Sequence, residues 1–293
     1  MNRSIKRFFL VFYFIAVTAG FAYYLFPSKA VVDFVTVQAK RIFPEMTVVI
    51  QDAKPSFPPG ISLRGITVRH GDVPGVEIDK VNISLTFKSL FTKQKGVRIT
   101  AQLLGGKITG DIAPVIEKGE NGPQMVSSPS KWTLTGIDLG RLQPVKQATG
   151  LDMTGALSGE ISGEMNAAGP KIAGELTVSG YRAAFSKAMF GIEALEWKDI
   201  KAEFEWTGRQ LNLKKCEAAG PQTDVTISGK GEWKMPVGQS TLAFEGTIKP
   251  QPEFMAQLTK TVPAALLPKK AAGKDWIPIK VKGTVGTPDL SFK

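Results

Sequence analysis

Apolar and polar residues alternate along most of this chain. In VNISLTF, residues 81–87, the apolar side chains Val81, Ile83, Leu85 and Phe87 all fall at odd positions. In VRITAQL, residues 97–103, Val97, Ile99, Ala101 and Leu103 do the same. A period of two places them on one face of a sheet, with Asn82, Ser84, Thr86 and Thr100 on the other. Residues 46–50 open the first predicted strand. KPSFPPG (54–60) and HGDVPG (70–75) predict turns, and Gly105–Gly106 a tight connection. In ISLRGITVR the alternation changes parity at Gly65, which predicts a β-bulge there. SLF (89–91) punctuates the strand ending at Lys88.

The pattern returns from Gly155 to the C-terminus. A loose cassette, apolar-x-Gly-x-apolar, recurs as ITGDI, LSGEI, IAGEL, FEGTI and VKGTV. Its variable spacing predicts a repetitive antiparallel sheet rather than a strict solenoid. Residues 117–130 are poor in apolar residues and rich in Gly, Pro and Ser, which predicts a loop and an internal boundary. Three short helices are expected. One is an amphipathic helix over 29–43, with Val31, Phe34, Val35 and Ile42 on one side. One follows the cap Asp138, short or kinked because of Pro144. One lies within 251–267, with Phe254, Met255 and Leu258 inward.

The N-terminus departs from this pattern. Residues 1–7 carry Arg3, Lys6 and Arg7 and no acid, and residues 8–26 hold no charge. Nineteen uncharged residues approach the ~20 needed to cross a bilayer as a helix. The basic flank predicts a cytoplasmic N-terminus. Phe8, Leu10, Phe12, Phe14, Ile15, Val17, Phe21 and Leu25 are the candidate anchor residues. A cleaved signal peptide is the rival; the run is long for one and lacks a clear A-x-A site. The expected layout is a tail (1–7), an anchor (8–26) and a β-rich domain (30–293), divided in two halves by loop 117–130.

Composition narrows the chemistry. The formal charge is +11, but Lys and Arg are scattered, without the aromatic interleaving or motif of a nucleic-acid binder. A single cysteine, Cys216, excludes an intrachain disulfide, and a single histidine, His70, argues against a histidine metal site or a Ser-His-Asp triad. The glycine cassettes lack the strand-to-helix context of a phosphate loop. Glu203 with Glu205, and Glu160 with Glu164, alternate with apolar residues and predict a solvated face. Lys214 and Lys215 precede Cys216 without an assignable base. No catalytic, metal or cofactor set assembles, so an enzyme is not expected. The apolar face remains. It could be closed as a barrel or sandwich, or left as an open trough for acyl chains or a partner's apolar segment. Its candidate lining is Val81, Ile83, Leu85, Phe87, Val97, Ile99 and Leu103.

The anchor, the short helix, GISLRGITV, the strand 81–88 with SLF, and RITAQLLGGKITGDI together resemble the type II secretion system protein N family, related to AsmA-like proteins. The ending IKVKGTVGTPDLSFK resembles AsmA-like C-termini. The resemblance implies a mainly β fold: a transmembrane helix followed by a large curled antiparallel sheet, as a groove or open barrel, with a few short helices. It implies a single-pass protein of the bacterial inner membrane with its bulk in the periplasm. Its role would be a non-enzymatic accessory of type II protein secretion, partnered by other secretion subunits. The AsmA-like relatives imply the alternative of phospholipid binding or transfer along an apolar groove.

Overall fold

The structure is a computed structural model. It describes residues 3–42, 45–70, 75–86, 89, 96–119, 122–143, 146–147, 150–166, 169–189, 192–234, 237–261 and 275–292. Within these the chain is mainly β. Helix α1 (Arg3–Tyr24) and helix α2 (Ser28–Ile42) precede a single sheet of fifteen strands. The strands are β1 (Met46–Ser56), β2 (Gly60–His70), β3 (Val76–Leu85), β4 (Val97–Leu103) and β5 (Gly106–Ile112). β6 (Val115–Gly119), β7 (Gly122–Asp138), β8 (Leu151–Asn166), β9 (Gly169–Met189) and β10 (Ile192–Thr207) follow. The last are β11 (Gln210–Ala219), β12 (Thr223–Glu232), β13 (Thr241–Pro250), β14 (Ile277–Thr284) and β15 (Pro288–Phe292). A third helix, α3 (Pro252–Thr261), leaves the sheet between β13 and β14.

Every strand pairs antiparallel with its neighbours in sequence. The exception is β6, which pairs only with β7, while β7 also takes its place beside β5. β1 and β15 do not pair, so the sheet is open rather than a closed barrel.

Two mechanisms keep the apolar residues on one face. The first is the tight hairpin between β4 and β5, where Leu104 (φ 50°) and Gly105 (φ 75°) are both left-handed, as a two-residue turn matched to strand twist requires. The second is a set of bulges. In β7 one extra residue separates Leu134 from Ile137, with Gly136 left-handed at φ 63°. In β11 the pair Lys214–Lys215 does the same between Leu213 and Cys216. Each bulge switches parity where the sequence does, so Leu211, Leu213, Cys216 and Ala218 share a face.

Helix α2 caps the β1 end of this face. Val31, Val32, Val35 and the preceding Phe26 pack on Ile50, Ala53, Leu63 and Ile66. These valines are half-buried, and the apolar surface they remove from water stabilises the contact by about 25 cal/mol per Å2. Ser28 fixes the helix start: its hydroxyl donates to Asp52 Oδ1 at 3.1 Å and accepts from Ala53 N at 3.2 Å. Phe34, expected on the inward side, is exposed, since a 15-residue helix lying on two strands buries only a narrow stripe. The expected cap at Asp138 is present: Oδ1 accepts from Gly140 N at 2.9 Å and starts a single 3₁₀ turn, Leu139–Arg141. Pro144 and Val145 lie outside the described residues. In α3 Phe254 is buried and Met255 half-buried; the side chain of Leu258 and residues 262–267 lie outside the description.

Two expectations change. Within the segment expected as a loop, residues 117–119 belong to β6 and 122–130 to β7, which pair with each other, and β7 continues into the main sheet; residues 120 and 121 lie outside the described residues. Their polar composition is tolerated because pairing with β6 and β8 satisfies the backbone. At Gly65 no residue is inserted: pairing resumes in the same register on both sides of this left-handed glycine (φ 58°), so it is a kink and not a bulge. Among the described residues no helix is long and apolar enough to cross a membrane. The crossing expected of residues 8–26 is therefore not something the fold establishes. In α1 the side chains of Leu10, Phe12, Phe14 and Phe21 are exposed, as is Leu25 just beyond it, and Val17 is half-buried; those of Phe8 and Ile15 lie outside the description.

Candidate functional site

Strand register builds one continuous apolar surface. A first row runs Ala53–Leu63–Val81–Ala101–Ile108–Leu134–Gly159–Leu176 across β1 to β9. It continues through Ala202, Cys216, Ile227, Gly246 and Ile279 to Phe292 on β15. A second row starts Ile61–Ile83–Ile99–Gly110–Trp132–Ile161–Gly174–Phe204. Leu213, Gly229, Phe244, Val281 and Leu290 complete it. Neither row contains a charged or hydroxyl side chain.

The predicted lining residues fall on this surface. Ile83 pairs with Ile99, Leu85 with Val97, and Leu103 with Ile78. Phe87 lies outside the described residues. The surface is only half closed. Ten apolar residues are buried among those described, and four of them belong to the cluster under α2. Ile83 keeps 36% of its surface exposed and Met165 51%. A closed core of this width would bury most of both rows.

The cassette glycines belong to the same face. Gly110 sits under the ring of Trp132, where an added Cβ would lie 2.2 Å from Cε3. Gly174 lies between Ile161 and Phe204, and Gly159 between Leu134 and Leu176. Gly246 lies between Ile227 and Ile279, and Gly283 between Leu242 and Pro288. Each is a seat for a larger side chain on the next strand. The repeat is visible in the sequence, but its partners lie on the neighbouring strands and are not.

The opposite face is charged and solvated. Glu160, Glu175 and Glu203 stand side by side on β8, β9 and β10, a juxtaposition that the sequence pattern did not expose. Lys131 reaches Glu160 at 3.0 Å, and Lys214 reaches Glu203 at 2.9 Å and Glu205 at 2.8 Å. Those two carboxylates hold the Lys214 ammonium well above the usual lysine range. Among the described residues no acidic or thiol cluster can hold a metal ion. Cys216 is half-buried in the first apolar row, and burial, with Glu217 next to it, pushes its thiol up rather than down. That disfavours the nucleophilic thiolate. His70 ends β2, and its side chain lies outside the description. Of the tryptophans, Trp197 stacks at 5.9 Å from Tyr181, and Trp206 lies 5.3 Å from Trp233.

Fold and site together define an open antiparallel meander with one apolar and one charged face, capped at one end by a helix. Comparison with protein-family models, with curated proteins and with solved structures finds no match.

Proposed function

We propose that this chain is a non-enzymatic, membrane-anchored protein whose open apolar sheet face holds lipid acyl chains. The observation that carries the reading is the uninterrupted apolar surface across fourteen strands with side chains such as Ile83 still exposed. Polar or charged residues are absent from its two central rows, as an acyl-chain surface needs and as a surface facing water disfavours. The resemblance to AsmA-like proteins supports the same reading. The anchor is assigned to residues 8–26, uncharged behind a basic heptapeptide and continuous with α1, whose described phenylalanines face outward. The basic heptapeptide supports a cytoplasmic N-terminus in a bacterial cell, with the sheet in the periplasm.

A second reading is an accessory of type II protein secretion, holding another secretion subunit. Among the described residues one edge of the five-residue strand β15 is unpaired, with Leu290 exposed, and this favours it, because a free edge can accept a partner's strand.

The test is native mass spectrometry of the full chain, extracted in mild detergent and stripped of it. Phospholipid retained at a fixed ratio is the expected result. Ile83→Asp, at a half-exposed position, should fold as wild type by circular dichroism and lose the lipid. A lipid-free, monodisperse wild-type chain would sink the acyl-chain reading and leave the secretion scaffold.

A further inference from the structure

We infer that the charged face carries a second site, a receptor for a phosphate-ester anion, at the junction of α1 with β1–β4. A cavity of about 440 Å3 opens there, on the side of the sheet opposite the apolar rows. That size lies within the ~300–1,000 Å3 of small-molecule sites. Arg64 and Lys80 face each other across β2 and β3 in direct register. Like charges so placed repel. Among the described residues neither has an ion-pair partner. Asp52 is in register beside Arg64, but its carboxylate is engaged by Lys54 at 3.2 Å and by Ser28. Arg98, which also lines the cavity, is held by Asp111 at 2.7 and 2.9 Å. No acid lines the cavity.

The floor of the cavity is the second observation. Ser62 is only 5% exposed, and its Oγ has no hydrogen-bond partner among the described residues. Asn82, paired with Ser62 across the strands, buries its Oδ1 in the same state, as does Ser56 its Oγ. Buried polar atoms left unmatched have given up their hydrogen bonds to water without replacement, so they mark a place shaped for a polar ligand. A phosphate ester matches this set. Its oxygens accept the forked guanidinium of Arg64, the ammonium of Lys80 and the hydroxyl of Ser62, and the Asn82 amide can turn Nδ2 toward them.

Tyr23, at the end of α1, also lines the cavity. The anion is therefore either the headgroup of a phospholipid or a free phosphate ester. The headgroup source rests on the membrane placement of α1 proposed above; the anion chemistry does not.

The experiment uses the full chain in two arms. In dodecyl maltoside, glycerol 3-phosphate is titrated by calorimetry. In the other arm the chain is reconstituted into nanodiscs of phosphatidylcholine with or without phosphatidylglycerol, and headgroup binding is read by phosphorus NMR. Saturable binding of glycerol 3-phosphate, weakened at least tenfold by Arg64→Gln with Lys80→Gln and less by Ser62→Ala, is the expected result for a soluble ester. A phosphatidylglycerol shift that the same double variant abolishes, without glycerol 3-phosphate binding, assigns the headgroup. No binding in either arm, or a double variant that binds as wild type while folded, overturns the site. A chain that fails to enter nanodiscs overturns the anchor alone, because the detergent arm still tests the anion.

Discussion

At the scale of single residues, the sheet depends on pairs of unequal size. Gly110 and Trp132 are such a pair, one stripped of its side chain so that the other can lie flat on the strand. Gly110→Ala places a methyl group inside the ring's contact radius and should cost about 1–3 kcal/mol, read as a lower urea midpoint. Trp132→Leu in the same chain should lose less than the sum of the two single changes, because the clash is gone. Strict additivity would mean that the two side chains do not share the space. The glycines themselves were legible in the sequence as a recurring cassette. Their purpose was not, because it rests on residues of the neighbouring strand, and single-strand patterns carry no information about register. Cys216 was legible in a different sense: without a base beside it, it reads as inert, and its burial pushes the thiol away from reactivity.

At the scale of elements, parity is the controlling quantity. Bulges in β7 and β11 each add one residue where the hydrophobic alternation changes phase. Deleting Lys215 should therefore swing Leu211 and Leu213 onto the charged face, since a one-residue slip inverts every side chain on one side of it. The expected outcome is loss of cooperative unfolding or aggregation, whereas Lys215→Ser, which keeps the length, should unfold cooperatively near the wild-type midpoint. Equal behaviour of deletion and substitution would show that phase at β11 is unimportant. Strand existence and the cap at Asp138 could be read from local pattern. The segment 117–130 could not, because its strands owe nothing to apolar periodicity and form by pairing with strands on either side.

At the scale of the molecule, the two faces are held differently. The apolar face relies on area and the charged face on cross-strand ion pairs, among them Arg98–Asp111, Lys131–Glu160, Arg182–Glu196 and Lys280–Glu245. Exposed pairs of this kind contribute about 0–1 kcal/mol each. Arg98 holds the Asp111 carboxyl below its ordinary value, and Lys54 does the same for Asp52. A depressed carboxylate adds stability above its ordinary pKa, about 3.9, and loses it as pH falls through the lowered value. Stability should thus be flat from pH 7 to about 5 and decline below about 4. Asp111→Asn should be less stable at pH 7 by about 0.2–1 kcal/mol and converge on wild type in acid, checked by urea titration at both pH values. A constant gap at all pH values would rule out the ion pair as the cause. Alternation announced a two-faced sheet in the sequence; whether anything covers the apolar face could not be read there, because an open trough and a closed barrel give the same pattern.

With β6 set aside, every strand lies beside the next along the chain, and this makes the sheet a ruler. Thirteen steps of about 4.8 Å give an apolar track of roughly 60 Å measured along the sheet. Each hairpin adds or removes two rungs, about 10 Å, without disturbing any pairing beyond its own borders. Duplication or loss of one hairpin in the gene would lengthen or shorten the track by a fixed increment while the β1 end kept its helical cap and the β15 end its free edge. In this architecture reach can be inherited as a count, independently of what either end contacts.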